Sequence, residues 1–305
     1  AKVEANQLVE AEVKTNAVAL APIRRFFDLE ELDAALPHVR TARFEGTASR
    51  VGPTAKTYSF NGRLGSDDFT FETGPNAPRH RLRMALDADY AAASATVTVR
   101  EAFIALDGAR TRLTLTPFSG TKDSFATRAR LTRLDIEHLK AAAIVWFPDR
   151  GLRRLDLIGG VSGWADLRRA GAAVDAEIEF DGDLLLRGEK FDFNVQGNIN
   201  HKFPNLIVTI RSVSLPALYE TMADMDTRID RDLIRTVGVA GATLTLVGSD
   251  LPDSPWQDLN IEGILSPRDA EIEFPADAIR LVGVSGQIPF RLQGARLMEI
   301  PEPES

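Results

Sequence analysis

Residues 176–210 read AEIEFDGDLLLRGEKFDFNVQGNINHKFPNLIVTI. Apolar side chains fall at every second position: Ile178 and Phe180, Leu184 and Leu186, then Phe191, Phe193 and Val195, then Leu206, Val208 and Ile210. A period of two places each series on one face of a β-strand, where a helix would need spacings of three and four. Between the runs stand Asp181-Gly182, Arg187-Gly188 and Gly197-Asn198, pairs that tolerate positive φ and so favour hairpin turns. The stretch therefore predicts successive antiparallel strands, each with one apolar and one polar face.

The same text extends in both directions. Val97 and Val99, and Leu113 and Leu115, alternate on either side of an Asp107-Gly108 turn signal. Further on come Leu244 and Leu246, Ile272 and Phe274, and Ile288, Phe290 and Leu292. Strands covered on both faces by helices would read as continuous apolar runs, so a doubly wound parallel fold is disfavoured. Roughly fifteen such strands at about 4.8 Å apart would extend on the order of 70 Å. A sheet of that size must curl into a trough, fold into a sandwich or close into a barrel to hide its apolar face. The expectation is a mostly β chain: a long, curved, antiparallel-rich, groove-like sheet, capped or interrupted by a few short helices.

Three hexapeptides break the alternation and share one shape: Phe27-Asp28-Leu29-Glu30-Glu31-Leu32, Leu134-Asp135-Ile136-Glu137-His138-Leu139 and Val213-Ser214-Leu215-Pro216-Ala217-Leu218. Asp or Ser at the second position can accept a bond from a free amide in the first helical turn, and the flanking apolar residue with the final Leu can form a hydrophobic staple. Each is read as a helix start, with Pro216 suited to a first or second helical position. Two of them follow strand-like text, so a unit of several strands plus one short helix is repeated. Leu218, Met222, Met225, Ile229, Leu233 and Val237 continue at helical spacing and are expected to plug an apolar end of the sheet. The division expected is 1–133, with a helix near 28–36, and 134–305, with helices near 135–147 and 214–237.

Composition excludes several functions. The 305 residues carry 36 Lys plus Arg against 44 Asp plus Glu, a net charge of -8, so a broad nucleic-acid surface is disfavoured. With no cysteine, disulfides, thiol nucleophiles and thiolate-held metal are excluded. The longest apolar runs, such as Ala141 to Phe147, fall short of the roughly 20 residues of a membrane-crossing helix. Opening at Ala1 without Met and closing on Pro301-Glu-Pro-Glu-Ser, the sequence is expected to be a piece of a longer protein.

No catalytic, metal or cofactor set emerges. His38, His80, His138 and His201 have no partner at ligand spacing and read as surface or loop residues. Asp181 and Asp183 read as hairpin acids, and Asp224, Asp226, Asp230 and Asp232 among Arg228, Arg231 and Arg235 as a solvated helix face. Gly159-Gly160-Val-Ser-Gly163 lacks the Lys-Ser/Thr of a phosphate loop and reads as a strand junction, and Trp146, Trp164 and Trp256 stand apart from basic clusters.

The run Leu281-Val-Gly-Val-Ser-Gly-Gln-Ile-Pro-Phe-Arg-Leu-Gln-Gly-Ala-Arg-Leu297, preceded by Leu259-Asn-Ile-Glu-Gly-Ile-Leu265, resembles the C-terminal strand pattern of AsmA-like bacterial envelope proteins. The helix-start hexapeptides resemble junctions that recur in that family, and Tyr58-Ser-Phe-Asn-Gly-Arg-Leu64 and Phe193-Asn-Val-Gln-Gly-Asn-Ile199 resemble its strands. Ile144-Val-Trp-Phe-Pro148 with Gly159-Gly160 is most similar to the central repeat region of its YhdP-like branch. The resemblance implies a periplasmic body on a parent protein anchored in the inner membrane. It also implies an apolar groove that carries phospholipid towards the outer membrane, so that the full-length protein meets both membrane surfaces.

On that reading the partners are phospholipid acyl chains, held without catalysis, cofactor or metal. The groove candidates are the alternating residues already named, from Leu113 and Leu115 through the 178–210 series and Leu244, Leu246, Ile272 and Phe274 to Ile288, Phe290 and Leu292. The alternative is a structural or adhesive envelope scaffold whose same side chains fill a closed core; a third reading is a carbohydrate-active enzyme whose acids converge only in space.

Overall fold

The computed structural model describes residues 2–4, 7–15, 18–19, 38–39, 41–51, 56–71, 77–146, 152–171, 173–200, 203–225, 229–248, 260–293 and 296–299. Among the described residues strand accounts for 73% and helix for 12%, and the strands pair antiparallel, as the alternation predicts. No helix among the described residues is long and apolar enough to cross a membrane. Contacts divide the chain into two compact units, Ala1–Leu134 with Asp166–Ala172, and Asp135–Ala165 with Ala173–Ser305.

The first unit is built from β1 (Lys2–Glu4), β2 (Gln7–Lys14), β3 (Val18–Ala19), β4 (His38–Val39), β5 (Thr41–Arg50), β6 (Thr57–Thr70), β7 (His80–Ala91), β8 (Thr96–Leu106), β9 (Thr111–Leu115), β10 (Phe118–Thr121) and β11 (Ser124–Asp135). Its sheet runs β2–β5–β6–β7–β8–β9–β11, with β10 beside both β8 and β11. At one end Phe69, Leu82 and Leu106 form a buried cluster with Leu64 and Phe71 against it. The Phe69 and Phe71 rings meet edge to face at 4.9 Å.

Next come α1 (Ile136–Trp146), β12 (Leu157–Ala170), β13 (Ala173–Leu186), β14 (Glu189–Asn200), β15 (Phe203–Ser214), α2 (Leu215–Met225), β16 (Arg235–Val247), β17 (Asn260–Phe274), β18 (Ile279–Val284), β19 (Ile288–Gln293) and β20 (Arg296–Glu299). In the second unit β13–β14–β15–β16–β17 form an antiparallel meander, and both β18 and β19 pair with β17. Both helices follow directly from a strand, and the expected caps are formed: Asp135 Oδ1 accepts from the Glu137 amide at 3.0 Å, and Ser214 Oγ from the Ala217 amide at 3.4 Å. Pro216 is the second residue of α2. Ala217 packs on Leu186 and Val213, with Leu155, Phe191, Ile210 and Leu218 around them, so α2 closes one end of the second unit's apolar face.

Several sequence expectations need correction. Arg187-Gly188 is a two-residue hairpin turn with φ of 51° and 82°, and Asp107-Gly108 also turns the chain. Asp181-Gly182 and Gly197-Asn198 do not: both lie inside strands, and their glycines make room for neighbours. A Cβ at Gly197, where φ is 147°, would stand 2.1 Å from the Asn205 carbonyl oxygen. Gly159 and Gly163 are likewise inside β12, not at a junction.

The helix expected over 214–237 spans Leu215–Met225 only. Asp230 ends its prospects by taking backbone amides into a turn: its carbonyl accepts from Leu233 and its carboxylate from Asp232, after which Val237 is in β16. His138, expected at the surface or in a loop, is 2% exposed on α1. A helix leaving a strand without a loop presses its first turn inward, and Asp135 and Ile136 are buried with it. The expected helix near 28–36, and His201, Asp226, Arg228 and Trp256, lie outside the described residues.

Candidate functional site

In an antiparallel pair, directly opposed residues point to the same side of the sheet, so the register shows which side chains share a face. In the second unit one row runs Phe180–Val195–Val208–Leu244–Gly263–Phe290 across six strands. A second runs Ile178–Gly197–Leu206–Leu246–Ile261, where Ile261 pairs with Leu292. A third runs Gly182–Phe193–Ile210–Ala242–Leu265–Ile288, and Leu184 opposes Phe191 beyond it. These rows contain no ionisable side chain, so the face offers contact area and no proton chemistry. Ile272 and Phe274 lie past a bulge in β17, opposite Leu281 and Ile279 respectively.

Leu113 and Leu115 belong to the first unit. There one row is Phe44–Leu64–Met84–Ile104–Leu113–Leu131, and the next is Val13–Gly46–Gly62–Leu86–Ala102–Leu115–Ala129. Tyr58, Tyr90 and Val97 oppose one another further along. Sequence reasoning missed most of this face. Its signal was present in Tyr58-Phe60 and in Leu82-Met84-Leu86, where the alternation is as regular as in 176–210.

The faces are not sealed. On β7, Leu82 is 7% exposed at the buried end, but Met84 is 36%, Leu86 39% and Tyr90 42% exposed along the same strand. Ile104 beside Met84 is 38% exposed. In the second unit Leu184, Leu186 and Leu206 are buried, Ile288 is exposed, and Ile178, Phe180, Phe191, Phe193, Val195, Val208, Ile210, Leu244, Leu246, Ile272, Phe274 and Phe290 are half-buried. Side chains in the middle of a filled sandwich are shielded by the facing sheet. Here burial is deepest in the end clusters and at scattered positions such as Ala88, Ala129 and Leu206, while large side chains between them stay partly open.

The opposite faces carry the charge. Arg100 holds Asp87 and Asp89, and Arg128 holds Asp166 with both carboxylate oxygens at 2.6 Å. The Arg128 hydrogen bonds keep the Asp166 carboxyl below its ordinary value, and bonds from Ser59 and Arg100 do the same for Asp89. Asp183, in mid-strand, lies 3.3 Å from Lys190, and Asp181 accepts from Asn194 at 3.1 Å. Asp224, expected on a solvated helix face, is largely covered and receives both Arg187 and Arg231, so this acid ties α2 to the β13–β14 turn. His80 in β7 is the exception: it lies on the apolar side, opposite Phe69, and places Nδ1 2.8 Å from Asp107 Oδ2.

Comparison of the chain with known protein families, with curated proteins and with solved structures finds no match.

Proposed function

We propose that the chain is a periplasmic segment of an AsmA-like, YhdP-like protein and binds phospholipid acyl chains along its apolar sheet faces without catalysis. The observation that carries this reading is the set of half-open large apolar side chains along one face of β7 and β8, Met84, Leu86, Tyr90 and Ile104 in the first unit. Water at such a face is displaced favourably by an acyl chain, at about 0.8 kcal/mol per buried methylene. Neighbouring positions along a row are chemically alike, so a chain held by area and not by hydrogen bonds can shift from one to the next. The resemblance of the short motifs to those of AsmA-like proteins supports the same reading, and the headgroup would stay in solvent.

The test is mass spectrometry of lipid extracted from protein purified without harsh detergent. Co-purifying phospholipid in near-stoichiometric amount is expected. Lipid-free protein that also takes up no phospholipid from added vesicles overturns the reading in favour of a self-packed envelope scaffold.

A further inference from the structure

The side of the first unit's sheet opposite the apolar rows carries an ordered basic patch. One row there runs Arg43–Gly65–Arg83–Ala105–Arg112, and the next runs Glu45–Arg63–Ala85–Phe103–Thr114–Arg130. In the first row arginine alternates with a small residue from strand to strand, which leaves room for each long side chain to lie along the sheet. A Cβ at Gly65 would stand 3.1 Å from Arg83 Nη1, and that guanidinium donates to the Ser66 and Leu82 carbonyls. Arg112 lies over the Phe103 ring at 5.1 Å, which holds it at the surface between the two rows.

All five arginines are exposed. Arg83 pairs with Asp67 at 2.9 Å and Arg43 reaches the same acid at 4.0 Å; among the described residues no acid pairs with Arg63 or Arg130. The Arg83 hydrogen bond, with the charges of Arg83, Arg43 and Arg81, holds the Asp67 carboxyl below its ordinary value. In a chain of net charge -8 this is a local reversal of sign.

We infer that this patch docks the first unit onto an anionic phospholipid surface. From β5 to β11 the rows cross five strand spacings, about 24 Å, with the arginines of the first row about 10 Å apart on alternate strands and Arg63 and Arg130 of the second about 19 Å apart. That is a sparse, two-dimensional array, fitted to headgroups distributed over a bilayer. Duplex nucleic acid presents a charge about every 1.7 Å along its axis and would bring its backbone against Glu45 and Glu101, which border the depression formed with Lys14, Arg63 and Phe103. The patch is on the other side of the sheet from the acyl-binding rows, so the two proposals stand or fall separately.

The experiment is flotation of the 305-residue chain with phosphatidylcholine vesicles, with and without phosphatidylglycerol, alongside titration with a single-stranded DNA oligonucleotide. Binding only to the anionic vesicles is expected, weakened by added salt and reduced at least about tenfold in the Arg63→Glu/Arg130→Glu variant. The milder Arg63→Gln/Arg130→Gln variant should fall between it and wild type, and both should keep the wild-type circular dichroism spectrum. Equal binding to both vesicle types, undiminished binding by these variants, absence of vesicle binding, or preference for the oligonucleotide overturns the inference. Lipid recovered by extraction is unaffected by these substitutions if the acyl-binding reading is right.

Discussion

Gly182 lies directly opposite Phe193 on β13 and β14, and the aromatic ring occupies the space that a side chain at 182 would need. A Cβ there would stand 1.9 Å from Phe193 Cε1, and the backbone at 182 is in the extended region, so the demand is for volume alone. Gly182→Ala should therefore destabilise the second unit by about 1–3 kcal/mol, the usual cost of overpacking. Urea unfolding followed by circular dichroism checks it, and adding Phe193→Leu should return part of the loss. A neutral single substitution would mean that the ring does not lie over this glycine.

The same pair shows where sequence reading stopped. Arg187-Gly188 and Asp181-Gly182 look alike as text, and only the first is a turn, because the role of Gly182 depends on which residue lies across from it. Cross-strand register is a non-local property that spacing within one strand does not encode. The strands, the caps at Asp135 and Ser214 and the end-plugging by Leu218 were legible because each follows from local periodicity or hydrogen bonding, whereas Met222, Leu233 and Val237, expected in the same plug, are exposed. Helical spacing through Ile229, Leu233 and Val237 misled because Asp230 offers the backbone a competing turn. Which apolar side chains stay half-open was also illegible: Leu82 and Met84 share one strand and one face, yet only Leu82 is covered, by Phe69 from another strand.

Asp68 makes acid sensitivity a local prediction. Burial alone would raise its carboxyl, but Ser66 Oγ at 2.8 Å, the Thr41 amide at 3.2 Å and Thr41 Oγ1 at 2.9 Å donate to it, and Arg79 adds positive field. The balance holds it below the model-peptide value of 3.8. A carboxyl lowered on folding contributes stability that is fully present above its unfolded value and is lost as pH falls through its folded value. Asp68→Asn should cost about 1 kcal/mol at neutral pH, a figure limited by solvent screening, and should flatten the fall in stability below about pH 4. Thermal melts of both proteins between neutral and acid pH measure the difference.

The cap at α1 is a second point of leverage. Asp135 is 5% exposed at the end of β11, and its Oδ1 satisfies the Glu137 amide where the strand turns into the helix without a loop. Asp135→Ala removes that acceptor and should destabilise by about 1–2 kcal/mol, while Asp135→Ser, which can still cap, should recover most of it. Hydrogen exchange at the Glu137 amide would report the change directly, with protection lost in the alanine variant and retained in the serine one.

Met84 separates an open face from a filled one. Being 36% exposed between Leu64 and Ile104, it makes only part of the contacts of a core side chain, so Met84→Glu should cost less than about 1 kcal/mol in stability. Burying an unpaired carboxylate in a sealed core would cost several times more. The same substitution places a charge where an acyl chain would lie, and titration with a fluorescent fatty acid should show affinity lowered about tenfold or more. Leu82→Ala in the covered cluster should do the reverse, losing about 2–5 kcal/mol of stability with little effect on the affinity of the remaining folded protein. If Met84→Glu destabilises the chain as much as Leu82→Ala does, the face is packed in solution and the acyl-binding proposal for the first unit fails.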